Sequence, residues 1–68
     1  GQRNRIVKTS QLTAGDVISV KGVAGFYKIT ARQVQGGRRG WLTSGTGPLA
    51  RPLFIPDSQK GVRMLVDR

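Results

Sequence analysis

An all-β domain is the fold class that this sequence predicts, and three observations predict it. Apolar and polar residues alternate in several short runs, and apolar residues nowhere recur at helical spacing over roughly 11 residues or more. Ten glycines and three prolines punctuate those runs at short intervals, as turns between strands require. The chain has 68 residues, enough for one domain and too few for a sandwich of immunoglobulin size. A small, strongly bent barrel of five to six short antiparallel strands is the expected architecture, because closure removes most sheet edges.

Residues 1–4 are polar and basic and read as a flexible N-terminal arm, ahead of a single barrel domain over residues 5–68. Arg5-Ile6-Val7-Lys8 places two β-branched residues between charges and is the first expected strand. Thr9-Ser10-Gln11 is a polar break. Leu12-Thr13-Ala14-Gly15-Asp16 then reads as a turn, with Gly15 at positive φ, Asp16 bonding nearby backbone donors, and Leu12 plugging the core. Asp16 to Lys21 is the second strand, with Ile18 and Val20 on one face and Ser19 and Lys21 on the other. Glycines 22 and 25 bound a short connection into Phe26–Val34, the longest expected strand. There Tyr27, Ile29 and Ala31 share the buried face, and Lys28, Thr30 and Arg32 share the wet one.

Gly36-Gly37-Arg38-Arg39-Gly40 makes a glycine-rich tip, and Trp41-Leu42-Thr43-Ser44 begins the returning strand. After a loop at Gly45-Thr46-Gly47-Pro48, Leu49–Ile55 reads as a further strand. Pro52 interrupts it and cannot donate to a ladder, which places it at an edge or a bulge. Pro56–Gly61 is a turn and Val62–Val66 a last strand. The expected core is Ile6, Leu12, Ile18, Val20, Tyr27, Ile29, Ala31, Leu42, Leu53, Ile55, Met64 and Val66.

Leu12-x-x-Gly15-Asp16-x-Ile18-x-Val20-x-Gly22-x-x-Gly25 resembles the opening of a small SH3-like β-barrel. It is similar in particular to the KOW-type modules of ribosomal proteins and transcription elongation factors, where a Gly-Asp turn precedes a strand and a glycine-marked loop returns the chain. The resemblance covers about a fifth of the chain. Val23 and Ala24 stand where those modules usually carry a basic residue, so what the resemblance implies is a fold more than an RNA contact by that loop. Such barrels bind RNA, DNA or peptides, and no single function comes with them.

The chemistry open to the chain is narrow. It has no histidine, cysteine or glutamate, which removes thiolate and imidazole nucleophiles, zinc sites and Ser-His-Asp triads together. Its three aspartates lie far apart, at 16, 57 and 67, and a paired-carboxylate site would need two of them to converge. A non-enzyme without cofactor or metal is expected. The absence of cysteine fits a reducing compartment such as the cytoplasm, and no apolar run reaches the roughly 18 residues of a membrane span. The first residue is Gly1 and not Met, as in a tag remnant or an excised fragment.

What remains is binding. Twelve Lys and Arg against three acidic residues give a net charge of +9, more than the roughly 2–8 that solubility asks of a small domain. Such a field attracts polyanions, and arginine, whose fork suits phosphate, outnumbers lysine eight to four. Lys28 and Arg32 on the wet face of the long strand lead towards Arg38 and Arg39 at the tip, and these four are expected to form one positive track. Arg3 and Arg5 add charge from the N-terminus. Trp41 and Phe26 are the candidate stacking residues. Each has a plain structural alternative: Trp41 in the core or hairpin, Phe26 covering an open end of the barrel, the arginines in a solvated loop. The leading expectation is a nucleic-acid-binding protein for DNA or RNA, gripping the backbone with low sequence selectivity. The other is a structural or protein-interaction subunit of a larger assembly, such as a virus-particle or ring component, through self-association or a protein partner at an exposed edge. No amphipathic helix supports a membrane surface as the partner.

Overall fold

The computed structural model describes residues 2–46 and 51–67, with side chains from Arg5 to Thr46 and from Arg51 to Leu65. It is all-β. The strands are β1 (Gln2–Val7), β2 (Val17–Val20), β3 (Val23–Gln35), β4 (Arg38–Gly45), β5 (Pro52–Pro56) and β6 (Val62–Asp67), and among the described residues the one helical element is a single 3₁₀ turn, Thr9–Gln11. All neighbouring strands are antiparallel, in one sheet of order β1-β6-β2-β3-β4-β5. The sheet is not closed, and β1 and β5 are its two edges. The two ends approach each other through the 3₁₀ turn instead. Thr9, at the end of β1, donates its hydroxyl to the Asp57 carbonyl beyond β5 (2.8 Å) and accepts the Trp41 indole N–H on its own carbonyl (2.9 Å).

Residues 2–4, expected as a free arm, are backbone-paired in β1 opposite Leu65–Asp67. Val7 is buried and packs in register with Val62, whereas Ile6 is 68% exposed. The sequence pattern had placed Ile6 in the core; the alternation of β1 puts its neighbour there. The rest of the core is Leu12, Ile18, Val20, Ile29, Ile55, Val62 and Met64, flanked by partly buried Tyr27, Trp41 and Leu53. Ala31 is exposed, Leu42 half-buried, and the Val66 side chain lies outside the described residues. The Leu12–Asp16 turn forms as its chemistry predicts: Gly15 has φ +98, Asp16 Oδ2 accepts the Thr13 N–H at 2.9 Å, and Leu12 is buried.

Three local features position everything that follows. The first is the hairpin turn, which holds only Gly36 and Gly37, both at positive φ (56° and 77°). This is the geometry of a two-residue type I′ turn, the one whose twist suits flanking strands. The second is a bulge in β3. Ile29 faces Thr43 but Ala31 faces Leu42, so Thr30 is an extra residue, its hydroxyl bonded to the Leu42 carbonyl at 2.8 Å. A bulge of one residue inverts which face every later side chain occupies.

The third is the β5 edge. Arg51 accepts from Gly45, and Asp57 donates to Arg39, so residues 51, 53, 55 and 57 turn their backbone groups towards β4. Residues 52, 54 and 56 turn theirs outwards, and two of these are Pro52 and Pro56. Neither proline interrupts the β4 ladder, and Phe54 is left as the single outward N–H donor of β5.

Candidate nucleic-acid interface

The bulge at Thr30 decides the layout of the cations. Before it, Lys28 pairs with Ser44 and lies on the outer face, opposite to buried Ile29 and Thr43. After it, Arg32 pairs with Trp41, which shares the inner face with Thr43 and, across β5, with buried Ile55. Lys28 and Arg32 therefore lie on opposite faces, and the continuous track expected from alternation does not form. Arg38 and Arg39 also part. They are successive strand residues of β4 and not a loop tip, so Arg38 points outwards with Gln35 while Arg39 shares the inner face with Val34.

Arg32 is committed within the fold. Its guanidinium forms a two-pronged pair with Asp57, at 2.8 and 2.9 Å, and its Cζ lies 4.8 Å from the centroid of the Trp41 ring. The hydrogen bond from Arg32 is the main cause holding the Asp57 carboxyl below its ordinary value of 3.8, with the charges of Arg32 and Arg39 adding to it against a smaller opposing desolvation. The same bond raises the Arg32 pKa. This is the one ion pair among the described residues. Trp41 is likewise occupied, half-buried against the core with its N–H on Thr9 and its face under Arg32. It packs within the fold, and Asp57, in the Pro56–Gly61 turn, closes the cluster through Arg32.

Among the described residues, no carboxylate pairs with the cations of the outer face. Lys28 and Arg38 are exposed on it, Arg38 touching only Ser58 Oγ at 3.2 Å. Two residues that the sequence reading left out join them. Arg63 faces Ser19 and Ile6 across β2 and β1, and Lys21 follows on the same face. The signal was present in Val62-Arg63-Met64, where a cation alternates between two buried residues. Phe26 is 48% exposed on this face, next to inward-facing Tyr27. It lines a groove of about 520 Å³ with Ile6, Ser19, Lys21, Val23 and Arg63.

Arg5 is exposed at the β1 edge in register with Met64, and the Arg3 side chain lies outside the described residues. Among the described residues no group of three potential metal ligands converges, and no helix is long and apolar enough to cross a membrane. No protein-family model, curated protein or solved structure matches the chain.

Proposed function

We propose that this chain is a non-enzymatic, cytoplasmic nucleic-acid-binding protein that grips phosphates with the outer face of its sheet and reads little sequence. The observation that carries the reading is the separation of charges: the carboxylate nearest the hairpin is engaged by Arg32, while Lys21, Lys28, Arg38 and Arg63 stand exposed together on the outer face. From Phe26 to Gln35, which pairs with Arg38, the face runs roughly 30 Å at about 3.3 Å per residue, and cations along such a length match successive phosphates. The small SH3-like barrel and the likeness to KOW-type modules remain part of this proposal, resting on the Leu12–Gly25 motif.

Four phosphate contacts give a slope of log K against log salt of about −3.6 on a duplex. Fluorescence anisotropy of a labelled 20-base-pair duplex between 50 and 200 mM salt is the test, with these conditions set on the order of the range over which counterion release is large. Arg38→Ala flattens the slope by about 0.9, whereas Arg32→Ala, removing a cation already paired, leaves it unchanged. Binding that is absent, or indifferent to salt, overturns the proposal.

A second reading, a protein-interaction or assembly subunit, has one observation in its favour. Lys21 donates to Gly61 across β2 and β6, and counting on through the ladders turns the backbone groups of Gln2, Asn4 and Ile6 to the free side of β1. That edge is open to an added strand.

A further inference from the structure

We propose that the nucleic acid is single-stranded and that a base stacks on Phe26 in the groove beside β1; this rests on the reading above. Among the described residues four large apolar side chains are exposed, and three of them, Ile6 (68%), Val23 (38%) and Phe26 (48%), line this one groove. A soluble domain gains nothing from gathering exposed apolar side chains in one place unless something covers them. Lys21 and Arg63 line the same groove, and Lys28 lies two residues along β3 from Phe26. The occupant must therefore offer apolar faces and negative charge in alternation at short spacing.

A duplex does not fit that description. Its base faces are stacked on one another, and only phosphates and groove edges meet a protein. A single strand offers an unstacked base for every phosphate, which is the pairing of features that the groove presents. A second copy of this chain is a poor match as the groove's occupant, since at +9 it brings little of the negative charge that Lys21 and Arg63 call for. Phe26 is also the one aromatic of the described residues that is exposed and not half-buried; Phe54 is half-buried across Gly40. Trp41 is held by Thr9 and covered by Arg32, and the Tyr27 hydroxyl is bonded to the Ala24 carbonyl at 3.1 Å.

Anisotropy titrations of labelled oligothymidine and of a duplex of equal length, against the wild type and Phe26→Ala, test the inference. The wild type is expected to bind the single strand more tightly than the duplex. Phe26→Ala weakens single-strand binding roughly 5- to 150-fold, the range of one stacked base, and leaves the duplex affinity and both salt slopes unchanged, because stacking releases no counterions. Phe26→Trp retains the affinity and adds an emission that is quenched by the single strand, which keeps the test open should the alanine variant fold poorly. Equal affinities for the two nucleic acids with no effect at Phe26 overturn the stacking inference while leaving phosphate binding intact. Failure to bind either one overturns the underlying reading, and capture of an acidic apolar peptide through Phe26 in that case assigns the groove to a protein partner.

Discussion

Gly40→Ala tests how β5 is held. Gly40 is buried and has no positive φ, so its backbone asks nothing of glycine; space does. A Cβ placed there stands 2.1 Å from the Ile55 carbonyl oxygen, 2.8 Å from its carbon and 2.8 Å from Phe54 Cζ. Real Cβ contacts essentially never fall under 3.0 Å, so the Ile55 carbonyl must retreat by at least 3.0 − 2.1 = 0.9 Å. The obstacle is backbone, which has no rotamer to change. A shift of that size carries a ladder bond of about 2.9 Å beyond hydrogen-bonding range. Overpacking of this kind costs about 1–3 kcal/mol, and each ladder bond lost adds about 1 kcal/mol. A total near 3 kcal/mol is a large part of the roughly 3–10 kcal/mol expected for a domain of this size.

Urea unfolding followed by Trp41 emission reads the effect directly, since Trp41 is the next residue in β4. With a slope of about 1 kcal/mol per molar for so small a domain, the midpoint falls by roughly 2–3 M. Gly36→Ala is the matched control. Nothing lies within 4 Å of its Cβ, but its φ is +56, so only left-handed strain of about 1–2 kcal/mol applies. An unchanged midpoint for Gly40→Ala refutes the close approach of β5 across Gly40. A loss equal to the control's refutes the steric account.

Asp57→Asn is expected to remove a pH dependence. The carboxyl's folded-state pKa lies below its ordinary value of 3.8, so its contribution is fully present above that value and lost as pH falls through the lower folded one. Thermal melts from neutral pH into that range should show an acid-side loss in the wild type that is reduced in the variant, and parallel curves would refute the pairing. Ile6→Lys should change stability by no more than about 0.5 kcal/mol, whereas Val7→Ala should cost about 1–3 kcal/mol; the reverse order in urea would mean that β1 is shifted by one residue. Trp41→Phe keeps an aromatic ring but leaves the Thr9 carbonyl without its indole donor, for an expected loss of about 1 kcal/mol in urea unfolding followed by circular dichroism, since the variant has no tryptophan to report.

Much of the fold was legible because local rules and tertiary structure agree. The alternation of Ile18 and Val20, the burial of Leu12 and the Gly15-Asp16 turn follow from period and turn chemistry alone. The site was less legible, and one residue explains most of the difference. The run Tyr27, Ile29, Ala31 alternates cleanly past Thr30, and nothing in it announces that Thr30 is extra. The bulge exists only in relation to β4, so its inversion of Arg32 is invisible until the partner strand is known. The same inversion lets Arg32 reach Asp57, 25 residues away. Ile6 and Val7 present the milder case: two adjacent β-branched residues suit a strand equally, and only the register with β6 chooses which is buried. Closure, too, is a property of both edges together. Pro52 pointed correctly to an edge, but no local signal says whether that edge meets another.

Pro52 and Pro56 also limit how copies of this sheet can join. Continuous growth from chain to chain needs β1 of one copy laid against β5 of the next, a head-to-tail contact that repeats without end. The β5 side offers that contact a single N–H, so propagation stops before it starts. Pairing of β1 with β1 has no such obstacle, but it uses up the permissive edge of both copies at once. The arrangement gives the sheet a polarity: one side can accept a strand and the other terminates. Pro52 and Pro56 thus withhold two of the three outward donors that β5 would otherwise offer to a neighbouring strand.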